Sequence, residues 1–191
     1  MNQLVCSEKE GPSDEEAITR VLDGDPDAYA ILVRRYRSRV FRLGLSFFRD
    51  EEDAADFSQE VFIKAYSALG SYRGQARFST WLLRIAYNSA INAKKRRRES
   101  EQLDVESLPG APGVEEEHAR EETAAAVREA IAALPQRQAV CLELYFYYDL
   151  KYAEIAEITG YPVNTIKSHV FRAKRLLRER LGGESEVDHA L

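Results

Sequence analysis

Tyr152-Ala153-Glu154-Ile155-Ala156-Glu157-Ile158-Thr159-Gly160-Tyr161-Pro162, followed by Val163-Asn164-Thr165-Ile166-Lys167-Ser168-His169-Val170-Phe171-Arg172-Ala173-Lys174-Arg175-Leu176-Leu177-Arg178, decides the fold. Ile155 and Ile158 anchor a short helix, and small Ala156 leaves room for a second helix to cross close above it. Gly160, four residues on, fits a tight turn that needs a left-handed backbone. Pro162 suits the first turn of the next helix, where its missing N–H has no intrahelical partner to lose. In that helix Ile166, Val170, Ala173 and Leu177 recur at three- and four-residue spacing and form a buried stripe. The reading from about Leu150 to Leu181 is a helix-turn-helix.

The opposite face of the second helix is polar and basic. It presents Lys167, Ser168, Phe171, Arg172 and Arg175, with Asn164 and Thr165 near the end that enters a DNA groove. His169 can donate to DNA or serve packing. Lys, Arg and Ser hold phosphates and donate to guanine edges, and Phe171 can meet a thymine methyl. A helical hairpin that binds protein explains the Ile, Ala and Gly pattern equally well. It does not explain a second helix with no carboxylate before Glu179.

The whole chain carries a net charge of -5, which by itself argues against a nucleic-acid partner. Distribution overrules the sum. Residues 71–98 carry a local +8 and residues 161–178 a local +5, both without an acid, while residues 99–122 between them carry -8. Charge runs are usually solvated faces. Two acid-free runs on amphipathic helices with interleaved aromatics weaken that reading.

Outward from the motif, the chain reads as all-α. Ser13 with Glu16 makes a capping-box start for a helix through Leu22, and Gly24-Asp25-Pro26 ends it. A longer helix carries Tyr29, Leu32, Val33, Tyr36, Val40, Phe41 and Leu43. Another, from Asp53 to Leu69, carries Ala54, Phe57, Val61, Phe62, Ala65 and Leu69. After the loop Ser71 to Arg77, a fourth helix turns Phe78, Trp81, Leu82, Ile85, Ala86 and Ile91 inward. Periodicity fails from Glu99 to about Glu117, where Pro109-Gly110-Ala111-Pro112-Gly113 lies among acids, so a flexible acidic linker is expected. Beyond it come an Ala/Glu-rich helix from Ala119 to Leu134, one from Gln136 to Tyr148, and the two of the motif. The expected organisation is a disordered tail (1–12), a helical domain (13–98), the linker (99–118), a helix-turn-helix domain (119–181) and a C-terminal tail (182–191). Each of the two small domains is expected to have its own core.

The composition, 45% hydrophobic and 31% charged, is that of a globular chain, and no apolar run approaches a membrane span, so no membrane insertion is expected. The N-terminus lacks the basic flank and apolar stretch of a secretory signal, which points to the cytoplasm. Cys6 and Cys141 read as a reduced pair. His118, His169 and His189 are scattered, the two cysteines are distant, and no phosphate-cradling glycine loop appears. No catalytic group, metal or cofactor is therefore expected, and a nucleic-acid-processing enzyme is a poor reading.

The segments Asp53-Ala54-Ala55-Asp56-Phe57-Ser58-Gln59-Glu60-Val61-Phe62-Ile63-Lys64-Ala65-Tyr66, Tyr72-Arg73-Gly74 and Phe78-Ser79-Thr80-Trp81-Leu82-Leu83-Arg84-Ile85-Ala86-Tyr87-Asn88 closely resemble region 2 of bacterial sigma factors of the extracytoplasmic-function group. Leu134-Pro135 and the pattern from Tyr152 to Arg178 resemble region 4 of the same group. The resemblance covers roughly residues 18–98 and 119–181, in the expected order around an acidic linker. It implies a promoter-specificity subunit of RNA polymerase, with promoter DNA and an anti-sigma factor as further partners.

Asp53, Asp56, Gln59, Glu60 and Lys64 leave the apolar stripe of their helix and offer a charged surface to a protein. By resemblance, that protein is the clamp coiled coil of the polymerase. Tyr72, Phe78, Trp81 and Tyr87 lie in or beside the +8 run, and aromatics among cations suit single-stranded DNA, although some of these rings, Trp81 first, must serve packing. Asn88 and Asn92 share a helical face from which amides can read base edges. By resemblance, Tyr72, Arg73, Phe78, Arg84, Asn88, Asn92, Lys94, Lys95 and Arg96 open the -10 element and capture an extruded base. The helix bearing Asn164, Thr165, Lys167, Ser168, His169, Phe171, Arg172 and Arg175 reads the -35 duplex. The acidic linker either mimics nucleic acid in the polymerase RNA-exit region or is a soluble spacer. The alternative is a free-standing helix-turn-helix transcriptional regulator, which predicts a two-fold operator and DNA binding without polymerase.

Overall fold

The computed structural model describes residues 11–101, 129–131 and 133–181, with the backbone alone at 98–101. The expected tails, most of the acidic linker, the greater part of the Ala119 to Leu134 helix, Cys6, His118 and His189 lie outside the described residues. Seven helices are described in full: α1 (Asp14–Leu22), α2 (Tyr29–Phe48), α3 (Glu51–Ala68), α4 (Phe78–Glu101), α5 (Gln136–Phe146), α6 (Tyr152–Thr159) and α7 (Val163–Leu181). Short 3-10 turns at Pro26–Ala28 and Leu69–Ser71 join some of them, and no strand occurs among the described residues.

Local chemistry sets the helix ends. The Ser13 hydroxyl accepts from the Glu16 amide at 3.1 Å, and the Glu16 carboxylate accepts from the Ser13 amide at 2.7 Å, the reciprocal box that satisfies two orphan donors. Asp50 caps α3 by accepting from the Asp53 amide at 2.8 Å. Gly160 closes α6 in the left-handed conformation, φ 73°, and its amide donates to the Ala156 carbonyl at 2.9 Å. The Pro162 carbonyl accepts the first bonds of α7, from Thr165 at 2.9 Å and Ile166 at 3.1 Å.

The first unit packs α1, α3 and α4 around α2. Leu32, Tyr36, Val40, Leu43 and Phe47 of α2 are buried, as are Ala54, Phe57, Val61, Phe62 and Ala65 of α3. Asp14 ties α1 to α2 by accepting from both Arg35 and the Tyr36 phenol. Tyr29 donates across to the Phe62 carbonyl at 2.8 Å and sits edge-on to Tyr66. The second unit packs α5, α6 and α7, and its α7 stripe of Ile166, Val170, Ala173 and Leu177 is at most 2% exposed.

Two expectations change. Ile91 does not turn inward: it is 43% exposed, and Leu83, Tyr87 and Ala90 take the buried places on α4. With Phe78, Leu82 and Ala86 the buried arc of α4 spans about 180°, and at about 100° per residue Ile91 falls roughly 130° from its middle. The cores are also not separate, since one connected cluster of buried apolar residues runs through both units. It crosses where α4 meets α6 and where α2 meets α5.

Gly44 makes the α2 to α3 packing possible. A Cβ there would stand 2.8 Å from the Phe57 ring and 3.2 Å from the Ala54 Cα. The ring can give way, but the backbone cannot without moving α3. Gly44→Val is expected to cost about 1–3 kcal/mol, read as a lower urea midpoint at unchanged helix content. An unchanged midpoint would remove the close approach.

Candidate nucleic-acid interface

α7 is built to keep one face dry and one wet. With its stripe buried, Asn164, Lys167, Ser168, Phe171, Arg172 and Arg175 stand exposed, and Phe171 is 67% exposed. Lys167, Ser168, Phe171, Arg172 and Arg175 together line an open groove of about 440 Å³. Ser168 donates to the Asn164 carbonyl one turn back at 2.9 Å, and Arg175 lies 3.5 Å from Glu179. Exposed pairs of that kind contribute little and exchange readily for phosphate.

Thr165 and His169 depart from the set. Thr165 is half-buried, and His169 turns toward Tyr161, edge to face at 5.9 Å. Its Nδ1 is buried without a hydrogen-bond partner. Burial first, then the Arg172 and Arg137 charges, hold its pKa below the usual value, so the ring is neutral near pH 7.

The loop before α4 is held by Tyr72, whose phenol donates to the Ala76 carbonyl at 2.7 Å, with Gly74 in the left-handed region. Arg73, Arg84, Asn88, Asn92, Lys95 and Arg96 are exposed, and Lys94 is half-buried. Phe78 is corrected. It is 1% exposed, packed between Tyr36 at 5.4 Å, Trp81 at 5.6 Å and Tyr72 at 5.8 Å. It opens α4 with its ring in the core of the unit, which a position within a cationic run did not reveal. Trp81 packs on Tyr72 at 5.3 Å as well.

On α3, Asp56, Gln59 and Lys64 are exposed and Asp53 and Glu60 half-buried. Ile63 was not singled out from the sequence, yet it is 67% exposed. It lies one turn from Gln59 and two from Asp56, in the middle of the polar face. An isoleucine on a polar stripe was the available signal. The acids of this face reach the basic end of α4: Asp53 accepts from Arg97 at 3.0 Å, and Glu60 lies 2.6 Å from Lys64 and 3.9 Å from Arg96. Lys64 also donates to Ser89 at 3.3 Å.

Cys141 is fully buried, and burial pushes its thiol up to about 11. Among the described residues no cluster of His, Cys, Asp and Glu is placed to hold a metal, and no helix is long and apolar enough to cross a membrane.

A helical unit with an exposed acid-flanked face and a basic helix, joined to a helix-turn-helix unit, defines a DNA-reading class of protein. Family models narrow it: "Sigma-70 region 2" matches residues 32–100 and "Sigma-70, region 4" matches residues 124–177. The RNA polymerase sigma-H factor of Pseudomonas aeruginosa is 35% identical over 180 residues, covering 88% of this chain and 93% of that protein. The ECF RNA polymerase sigma-E factor of Escherichia coli is 35% identical over 181 residues, covering 88% and 94%. The sigma factor RpoE of Bartonella quintana, solved with the anti-sigma factor NepR, shares the fold at TM-score 0.65 and 21% identity, over 82% of this chain and 98% of that one. The chain belongs to the sigma-70 family, in the extracytoplasmic-function group.

Moving Phe78 from the interface to the core has a measurable consequence. Phe78→Ala should lose about 3–5 kcal/mol of stability in chemical denaturation. Arg172→Ala, on the wet face of α7, should stay within about 0.5 kcal/mol of the parent. A Phe78→Ala protein as stable as the parent would return the ring to the DNA side.

Proposed function

We propose that this chain is a promoter-specificity subunit: it joins core RNA polymerase through the exposed face of α3, reads a -35 duplex with α7 and opens the -10 element with the segment from Tyr72 to Arg96. The observation that carries the reading is the pairing, in a sigma-70 chain, of two surfaces with different chemistry. One is an acidic helix face with an exposed apolar centre at Ile63. The other is the exposed basic face of α7, where Lys167, Ser168, Phe171, Arg172 and Arg175 line an open groove.

Apolar residues ringed by charge suit a protein partner, because the rim steers the encounter and the centre supplies affinity on desolvation. Asp56, Gln59 and Ile63 are the residues we assign to polymerase docking, with Asp53, Glu60 and Lys64 at the rim. On α7, Arg172 and Lys167 serve bases and phosphates while Phe171 meets a methyl group. Thr165 and His169 stand at the margin of that surface. On α4, Asn88 and Asn92 read the opened strand, Arg73 and Arg84 flank it, and Lys94, Lys95 and Arg96 neutralise backbone phosphates. Tyr72 supplies the stacking ring. The polymerase performs the bond chemistry, the chain none, and its place of work is the cytoplasmic transcription machinery. The sigma factors of known structure that carry anti-sigma partners support such a partner here.

The decisive experiment mixes the purified full chain with core polymerase and genomic DNA fragments and maps run-off transcripts. Discrete chain-dependent start sites are expected, and their absence overturns the proposal. DNA binding with a two-fold operator and no capture of polymerase would favour a free-standing regulator instead. Within the holoenzyme, Arg172→Ala should weaken recruitment by about 1–3 kcal/mol. Asn88→Ala should recruit normally and open slowly, as read by permanganate reactivity of unpaired thymines. Ile63→Asp should reduce capture of core polymerase at unchanged DNA contacts. Equal loss at both DNA steps for Arg172→Ala and Asn88→Ala would break the division of labour.

A further inference from the structure

Ile91 and Tyr161 stand where the two units meet, and neither is fully packed: Ile91 is 43% exposed and Tyr161 is half-buried. Both line a cleft of about 570 Å³, a volume within the range of sites that hold one small ligand. α4 contributes Lys94 and Lys95 besides Ile91, α5 contributes Gln136 and Arg137, and Tyr161 comes from the turn between α6 and α7. Three of these side chains are cationic. Among the described residues that line the cleft, none carries a carboxylate.

The polar groups of this cleft are mostly donors. Lys94 donates to Gln136 Oε1 at 2.8 Å. That bond fixes the orientation of the amide, because turning it over would set its NH2 against an ammonium. Gln136 Nε2 is then a buried donor without a hydrogen-bond partner, and such a group carries its full desolvation cost until an acceptor reaches it. Arg137 is exposed, and its guanidinium offers the planar fork of N–H donors that suits phosphate oxygens. A site with donors and positive charge but no charged acceptor selects an anion rich in acceptor oxygens.

The rest of the lining is apolar. An inorganic anion held by the cations would leave Ile91 and the Tyr161 ring against water, whereas a planar ring joined to the anion would cover them. The number of cations narrows the class further. A nucleotide within a strand brings about one negative charge, and a terminal chain of phosphates brings several.

We infer that this cleft is a binding site for a free nucleoside polyphosphate: Lys94, Lys95 and Arg137 take the phosphates, Gln136 Nε2 donates to an acceptor of the ligand, and the base lies against Tyr161 and Ile91. The site goes beyond the promoter-reading function and does not depend on it, although Lys94 and Lys95 belong to both assignments. Phosphate recognition is the chemistry the two share. The base-covering wall of Tyr161 and the orphan donor of Gln136 belong to the cleft alone.

The test is isothermal titration calorimetry of the full chain, without polymerase, at fixed ionic strength and free of divalent metal. ATP and GTP are the probes, with AMP and inorganic tripolyphosphate beside them. One-to-one binding of ATP, GTP or both is expected, with AMP and tripolyphosphate each about tenfold weaker or more. Arg137→Ala should weaken nucleotide binding about tenfold, the loss of one charge-assisted contact. Ile91→Asp, which sets a carboxylate in the cleft at an exposed position, should abolish it. Arg37→Ala, which removes an exposed arginine of α2 outside the cleft, should leave it unchanged. Circular dichroism identifies a variant that has unfolded, in which case Arg137→Ala against Arg37→Ala decides. Failure of both ATP and GTP to bind, or binding that Arg137→Ala and Ile91→Asp leave unchanged, overturns the site. AMP as tight as ATP would make it a pocket for a single strand nucleotide, and tripolyphosphate as tight as ATP a plain anion site; either result overturns the assignment. The promoter-reading proposal stands apart from all of these results, since it fails only when holoenzyme yields no chain-dependent transcript.

Discussion

The passage of α3 over α2 at Gly44 fixes the first unit. Because no side chain stands at Gly44, Phe57 and the Ala54 backbone come directly against the α2 helix. That contact sets the level and rotation of α3, so Asp56, Gln59 and Ile63 turn outward together while Val61, Phe62 and Ala65 turn in. α2 has a second obligation. Its inner stripe builds one core, while Arg39 and Arg42 on its outer face and Arg49 just past its end contact another unit. Few of its positions are left to bear only on solvent.

Charge segregation resolves the apparent conflict between a net charge of -5 and a nucleic-acid partner. The acids of α3 and the cations of α4 lie on adjoining helices and neutralise one another at Asp53–Arg97 and Glu60–Arg96. These pairs are more than two-fifths exposed on each side, where an ion pair is worth little. Either partner of such a pair can be replaced by another charged group at small cost.

Helix positions and the buried stripes of α3 and α7 were legible in the sequence because they depend on spacing within one element. The Ser13–Glu16 box, the Gly160 turn and the stripe Ile166, Val170, Ala173, Leu177 are local facts, and each stands where the pattern placed it. Residues at the margins of a face were misjudged for a shared reason. Phe78 and Ile91 each sit on α4, which has two packed sides, and a single-stripe reading cannot say which side an aromatic or isoleucine serves. Ile63 was passed over because an apolar residue on a polar face breaks the period, although the break is what marks it. The seam between the units was not legible at all. Its partners, such as Arg39 and Tyr148 or Lys94 and Gln136, are separated by 109 and 42 residues and carry no periodic signature.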